Sequence, residues 1–326
     1  MPIYYTDSAG SNTAPYDTWA KAATSILTIE ALVLNAGDIV YARGSQTISG
    51  AGVLTLAASG TNLAMISVIG CDAAGTPNAG QFTLLGDVGN LPAHLVVSSA
   101  KTYRRWENIT FSGATNRCVY CGNNETGWQW ESCIFENSAD GISTGSNDVL
   151  RQEFEDCIFR NFTSEGVHQA TICSFKACAF YNCAIGLNLN NPSTVENCLF
   201  RENSDDHIDI TTSINNWTII SGCTFDSSSG GSGIKIADAC GHIRIRWCRF
   251  TNNNQYAIEV VANPDVTVNE DYNGFRLNAA GNRLNIAVGP NSVDLGADGY
   301  VDAAADNYSL ADAAEQRRVP INLDWA

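Results

Sequence analysis

The chain has 326 residues and 12 cysteines, and its 18 Lys and Arg against 34 Asp and Glu leave a net charge of −16. That balance disfavours bulk-charge binding to nucleic acid or to an anionic membrane. No run approaches the ~18 apolar residues of a membrane span, and the nucleotide-binding glycine motifs, the serine nucleophile elbow and the His-Glu-x-x-His helix are missing.

Taken in chain order, Met1-Pro2-Ile3-Tyr4-Tyr5-Thr6-Asp7 lacks the basic and apolar regions of a secretory signal. The expectation is a chain already processed or one that does not use that route. Residues 15–34 read as a helix capped by Asp17 and carrying Trp19, Ala22, Ala23, Ile26 and Leu27, a cover for the open apolar end of a solenoid. Asp38–Ala42, Val53–Leu56, Met65–Ile69, Phe82–Leu85 and Leu95–Val97 read as strands broken by Gly, Asn and Pro.

From Trp106 a phrase recurs every 20–25 residues, an apolar residue followed three positions later by Cys-x-Phe. Its Cys slots are Cys133, Cys157, Cys178, Cys198, Cys223 and Cys248, with Ile109 opening the series. Cys and Phe, two apart, share one strand face. Each phrase is followed by a polar stretch, a second short strand such as Ile234–Ile236, and a third run leading into the next phrase. Three short strands per 20–25 residues describe one coil of a parallel β-helix, with equivalent residues ~4.8 Å apart. The six cysteines then form a buried thiol ladder beside a Phe ladder. Asn137, Asn161, Asn182 and Asn252, two after Phe, mark bends in the left-handed conformation. Glu107, Glu131, Glu155 and Glu196 are expected at solvated corners. Cys118-x-x-Cys121 lacks a second ligand pair or a βαβ setting, so structural thiols are the favoured reading over zinc or redox chemistry. The expected fold is all-β, a single right-handed parallel β-helix, with a capping strand and helix over 1–37, coils over 38–262, and final coils and a closing tail over 263–326.

The opening Tyr4-Tyr5-Thr6-Asp7…Gly10-Ser11…Trp19…Ala36-Gly37-Asp38-Ile39-Val40-Tyr41-Ala42, with the coils after it, resembles right-handed β-helix proteins of the pectin-lyase-like superfamily. That resemblance implies the fold; the superfamily contains lyases, glycoside hydrolases, epimerases and virus spikes. The polygalacturonase-like motifs are out of order. Lys235 precedes His242, and Asp140 lies about three coils, ~14 Å, from Asp205, too far for a carboxylate pair. A pectate-lyase pattern, acidic residues for calcium beside a base, is approached by Arg201, Asp205, Asp206 and Asp209 with His207. In an extended segment Asp205, His207 and Asp209 share a face opposite Ile208 and Ile210. A solvated turn is the competing reading of these acids, and surface positions are the default for His168, His207 and His242. No cofactor is required; calcium is the one ion the acids allow. Asp294, Asp298, Asp302 and Asp306 do not match the twelve-residue calcium loop.

Two function classes follow. The favoured one is a phage virion protein (capsid decoration, head fibre or tail-spike component), made in the host cytoplasm, that contacts other virion proteins and cell-surface polysaccharide. The alternative is a secreted polysaccharide lyase or glycoside hydrolase acting on an acidic polymer. Trp128, Trp130, Tyr181, Trp217 and Trp247 are available for sugar contact. Between each Cys and Phe one residue points outward. Ile134, Ile158, Ala179 and Leu199 are expected to line up as an apolar stripe, rimmed by Arg160 and Tyr181, where a sister copy packs in a homo-oligomer such as a trimer.

Overall fold

The computed structural model describes residues 2–310 apart from 50–51, 88, 90–91, 99–100, 123–125, 145–149, 171, 191, 212–216, 238–240, 262–266, 295–299 and 303–306. Residues Met1–Cys173 and Ser174–Ala326 form two compact units. Both are built from parallel β-helix coils of three short strands each.

In the first unit, Ile3–Asp7, Ile39–Arg43, Ile66–Cys71, Arg104–Glu107, Thr126–Glu131 and Leu150–Glu155 pair in parallel, rung upon rung. A second series runs Ser45–Ile48, Phe82–Gly86, Ile109–Ser112, Ile134–Ser138 and the start of Ile158–Ala170. A third runs Leu54–Thr55, His94–Ser98, Arg117–Cys121, Asp140–Thr144 and the end of Ile158–Ala170. Between the first and second series a single residue with positive φ turns the chain: Asn108, Ser132 or Asp156. Asn137 and Asn161 turn it again, at φ 58 and 60. Their short side chains tolerate that conformation, and Asn161 Nδ2 donates to Asn137 Oδ1 at 3.3 Å along the ladder. Inside, Phe111, Phe135 and Phe159 stack nearly parallel at 5.1 and 4.8 Å.

The helix expected from Asp17 is instead two short pieces, a 3-10 turn over Trp19–Lys21 and a helix over Ile26–Glu30. Ala23 between them is drawn into a bridge with Thr6, which breaks the helical period. Ser25 is the cap, accepting from the Leu27 N–H, while Asp17 pairs with Lys21 at 3.1 Å. Glu30 accepts two bonds from Arg104, at 2.7 and 2.9 Å, with both side chains buried.

The second unit repeats the plan. Thr194–Glu196, Trp217–Ser221, His242–Arg246 and Thr267–Asp271 form one series. Leu199–Arg201, Thr224–Asp226, Arg249–Thr251 and Gly274–Arg276 form the next. Ile208–Ile210, Ile234–Ile236, Tyr256–Val260 and Gly281–Leu284 form the third. Phe180, Phe200, Phe225, Phe250 and Phe275 stack at 4.7–5.3 Å. The coil ending in Phe275 has Asn273 in the Cys slot, so the phrase hides it. Asn182 and Asn252 bend with positive φ, as do Glu202, Ser227 and Leu277 at equivalent positions. The ladder cysteines are buried thiols in both units; Cys240 lies outside the described residues. Of the expected solvated corner acids, Glu155 and Glu196 are exposed, but Glu107 is buried. Trp128 and Trp130 are core residues, whereas Trp217 and Trp247 are exposed.

Candidate functional site

The acidic candidates with Arg201 and His207 fall in the second unit, and the structure separates them. The strand begins only at Ile208, so His207 does not share an outer face with Asp205 and Asp209. Its rung neighbours are glycines, Gly186 and Gly233, where an added Cβ would crowd Phe200 and Phe250. His207 occupies that interior space between the rings of Phe200 and Phe225, at 6.3 and 6.2 Å, with Nδ1 2.8 Å from Asn203 Nδ2. Burial pushes its pKa down to about 3, so it is a neutral core imidazole without access to substrate.

Asp206 is also buried and accepts from the Ser232 N–H at 2.7 Å and Lys235 Nζ at 3.2 Å. Burial raises its pKa, against the pull of Ser232 and Lys235. Asp205 is exposed. Asp209 faces outward in a row Asn188, Asp209, Lys235, Glu259. Arg201 lies on another strand and contacts Glu202 at 3.2 Å. With Asp206 committed to Ser232 and Lys235, these acids do not fit a calcium ligand set, and no group of three or more His, Cys, Asp or Glu among the described residues does. Asp298 and Asp306 lie outside the described residues, as do the side chains of Asp294 and Asp302.

The expected apolar stripe is open only in part. Ile134 and Ile158 are rung neighbours and half-buried, bordered by the Glu136–Arg160 ion pair at 2.6 Å. In the second unit Ala179 and Leu199 are only 5 % and 6 % exposed, so the chain already covers them. Tyr181 there is half-buried.

A denser cluster stands on the first unit, on the outer side of the third strand series. His94, Arg117 and Asp140 occupy one row, and Tyr120, Ser143 and His168 another. The His94 and Tyr120 rings stack at 5.2 Å, and the Arg117 guanidinium lies 5.3 Å from the Tyr120 ring centre. Arg117 Nε pairs with Asp140 Oδ2 at 3.3 Å. Asp140 Oδ1 accepts from the Glu165 N–H at 3.3 Å, and Glu165 Oε2 meets His168 Nδ1 at 2.6 Å. Burial, and then Arg117, lower the His94 pKa; the bond to Glu165 raises that of His168. The cluster therefore offers a neutral imidazole, a phenol and a fixed cation on one half-exposed face, backed by the two buried carboxylates of Asp140 and Glu165. That is a complement for general acid–base chemistry on an anionic substrate.

Sequence reading missed His94, Arg117, Tyr120 and Glu165. The available signal was columnar: His94, Arg117, Asp140 and Glu165 recur at steps of 23, 23 and 25. On the other strand face of this unit, a groove of about 620 Å³ is lined by Tyr103, Gln129, Arg151 and Glu153 among others.

Solved structures with the same fold include pectate lyase Pel9A, at TM-score 0.65 and 14% identity over 93% of this chain and 84% of that one. A rhamnogalacturonan lyase matches at 0.54 and 12% identity over 99% of both chains. An alginate lyase from Paenibacillus sp. str. FPU-7 matches at 0.55 and 12% identity, over 90% of this chain and 98% of that one. No curated protein matches the sequence at a significant level. The family model for a right handed beta helix region matches residues 107–272, half of the sequence, and the chain belongs to that family, with the pectin-lyase-like form of the fold.

Proposed function

We propose that the protein cleaves a uronate-containing polysaccharide by β-elimination at the first-unit face. The observation carrying this reading is the neutral His94 ring stacked on Tyr120, with Arg117 against the same phenol. In such an elimination a base removes the C5 proton beside the uronate carboxylate. The C4–O4 bond then breaks as C4=C5 forms, and the leaving oxygen takes a proton. Arg117 would neutralise the carboxylate and acidify C5–H, His94 would take that proton, and Tyr120 would supply the one the leaving oxygen needs. Asp140 and Glu165 hold Arg117 and His168 in place. The lyase names of the structural neighbours support this class. The test is incubation with polygalacturonate and alginate, following unsaturated uronate ends by ultraviolet absorbance. Activity is expected, with His94→Ala and Tyr120→Phe each losing about 10²–10⁴-fold. Undiminished rates in both variants overturn the assignment, and reducing ends without unsaturation identify a hydrolase instead.

A second reading is a virus-particle element, such as a decoration, fibre or spike protein, assembled in the host cytoplasm. The half-buried pair Ile134 and Ile158 with its charged border favours it, since an apolar centre with a charged rim suits a protein interface.

A further inference from the structure

A second face, in the other unit, fits an anionic ligand. On His242–Arg246, side chains at alternate positions point outward: His242, Arg244 and Arg246, with Ile243 and Ile245 buried beneath. Trp217 is the rung neighbour of His242; their rings stack at 4.8 Å, and the Arg244 guanidinium lies 4.9 Å from the Trp217 ring centre. Trp217 nevertheless keeps 44% of its surface exposed.

The charge on this face is unusual for the chain. Acids outnumber bases 34 to 18, and Arg43, Arg104, Arg105, Arg117, Arg160 and Arg283 each pair with a carboxylate. Among the described residues Arg244 and Arg246 do not. Arg246 donates to the Asn269 side chain at 3.3 Å. Asp271, its rung neighbour, turns away to Asn291, accepting at 3.0 and 3.2 Å. The Nε atoms of both arginines are buried and have no hydrogen-bond partner among the described residues. Two guanidiniums roughly 7 Å apart on one strand face, beside an exposed indole, are a receptor for carboxylates borne on a ring that can lie against an aromatic.

We infer that Trp217, His242, Arg244 and Arg246 bind an anionic saccharide chain, with sugar carboxylates on the two guanidiniums and a pyranose face on the indole. A net charge of −16 opposes a polyphosphate or an anionic bilayer, whose charge is denser, more than a polymer with one charge per sugar. This surface does not depend on the His94 face being active.

Affinity electrophoresis of the full chain tests it, in gels holding alginate, polygalacturonate or neutral hydroxyethyl cellulose. Retardation is expected in the two uronate gels alone, weakening as salt is raised. Arg244→Gln with Arg246→Gln should lose it, as should Trp217→Ala, while His94→Ala keeps it. Arg246→Gln alone, at a half-exposed site, should weaken retardation without altering the melting temperature, which separates lost binding from lost folding. No retardation of the native chain, or undiminished retardation of the double variant, overturns the inference. Equal retardation by hydroxyethyl cellulose overturns the anionic class. Stronger retention by duplex DNA or by phosphatidylserine vesicles in parallel assays overturns the saccharide assignment.

Discussion

The recurrent cysteine has a hydrogen-bonding reason as well as a packing one. Each ladder thiol sits just after a positive-φ bend and donates to the carbonyl two residues back, from Cys133 to Glu131 at 3.5 Å through Cys248 to Arg246 at 3.3 Å. Several also reach a carbonyl of the preceding coil, as Cys157 does to Trp130 and Cys223 to Val195. A weak S–H donor in an apolar slot serves both needs. The six thiols should therefore resist labelling in the native protein and react together on denaturation; rapid native labelling would contradict the ladder. His207 makes a pH-dependent contribution of definite sign. Its folded pKa is near 3, against ~6.5 unfolded. Its contribution is thus intact above pH ~6.5 and is lost as pH falls toward 3, because only the unfolded chain takes up the proton. The loss reaches roughly 4–5 kcal/mol. Denaturant melts of His207→Gln should show a flatter decline over that window; an unchanged slope would place the acid sensitivity elsewhere. A surface position was the default for this histidine, since His168, His207 and His242 fall on different coils with no shared spacing. The glycines that make room for it, Gly186 and Gly233, are recognisable only once the coils are in register.

Coils were legible wherever the phrase kept both Cys and Phe, since an apolar pair two residues apart, returning at a nearly fixed step, requires strands stacked in register. The coil built on Asn273 was not, because a buried Asn does the work of the thiol there. Its Oδ1 accepts from the Cys248 N–H at 2.8 Å and its Nδ2 donates to the Ile245 carbonyl at 3.0 Å. Removing a ring from the Phe stack, as in Phe225→Ala, should cost ~3–5 kcal/mol, measurable by denaturant unfolding; a cost under ~1 kcal/mol would show that the stack relaxes into the void. The cap was only half legible. Apolar spacing gave a helix near the N-terminus, but the chain anchors it through Glu30 and Arg104, which lie 74 residues apart in sequence. Arg104 also donates to the Ala58 carbonyl at 2.8 and 3.1 Å. Glu30→Gln leaves the guanidinium buried without its counter-charge and should destabilise the protein by ~3–5 kcal/mol. Joint replacement of Glu30 and Arg104 by Met should cost less than the single change, and a larger cost would refute this role for the pair.

On the scale of the whole molecule, fold and function differ in how far the chain reveals them. A β-helix writes its core once per coil, so the repeats accumulate into a pattern. A functional face writes each residue once, in columns whose steps vary with loop length, so His94, Arg117, Asp140 and Glu165 carry no local motif. The acidic run at Asp205, Asp206 and Asp209 stood out because it is local, yet Asp206 is taken up by Ser232 and Lys235. The two functional readings make opposite demands on the outer surface. A virion element needs a protein contact, and Ile134 with Ile158 is the open apolar pair that suits one; a lyase needs only the His94 face. Ile134→Asp with Ile158→Asp places two carboxylates at half-buried, outward positions, so the coil should survive with a melting temperature close to that of the native protein. If the pair mediates assembly, light scattering should show a lower oligomer mass while uronate cleavage is unaffected. An unchanged mass removes the observation that favours the virion reading, and a loss of cleavage in this variant would mean that the His94 face requires a second copy of the chain.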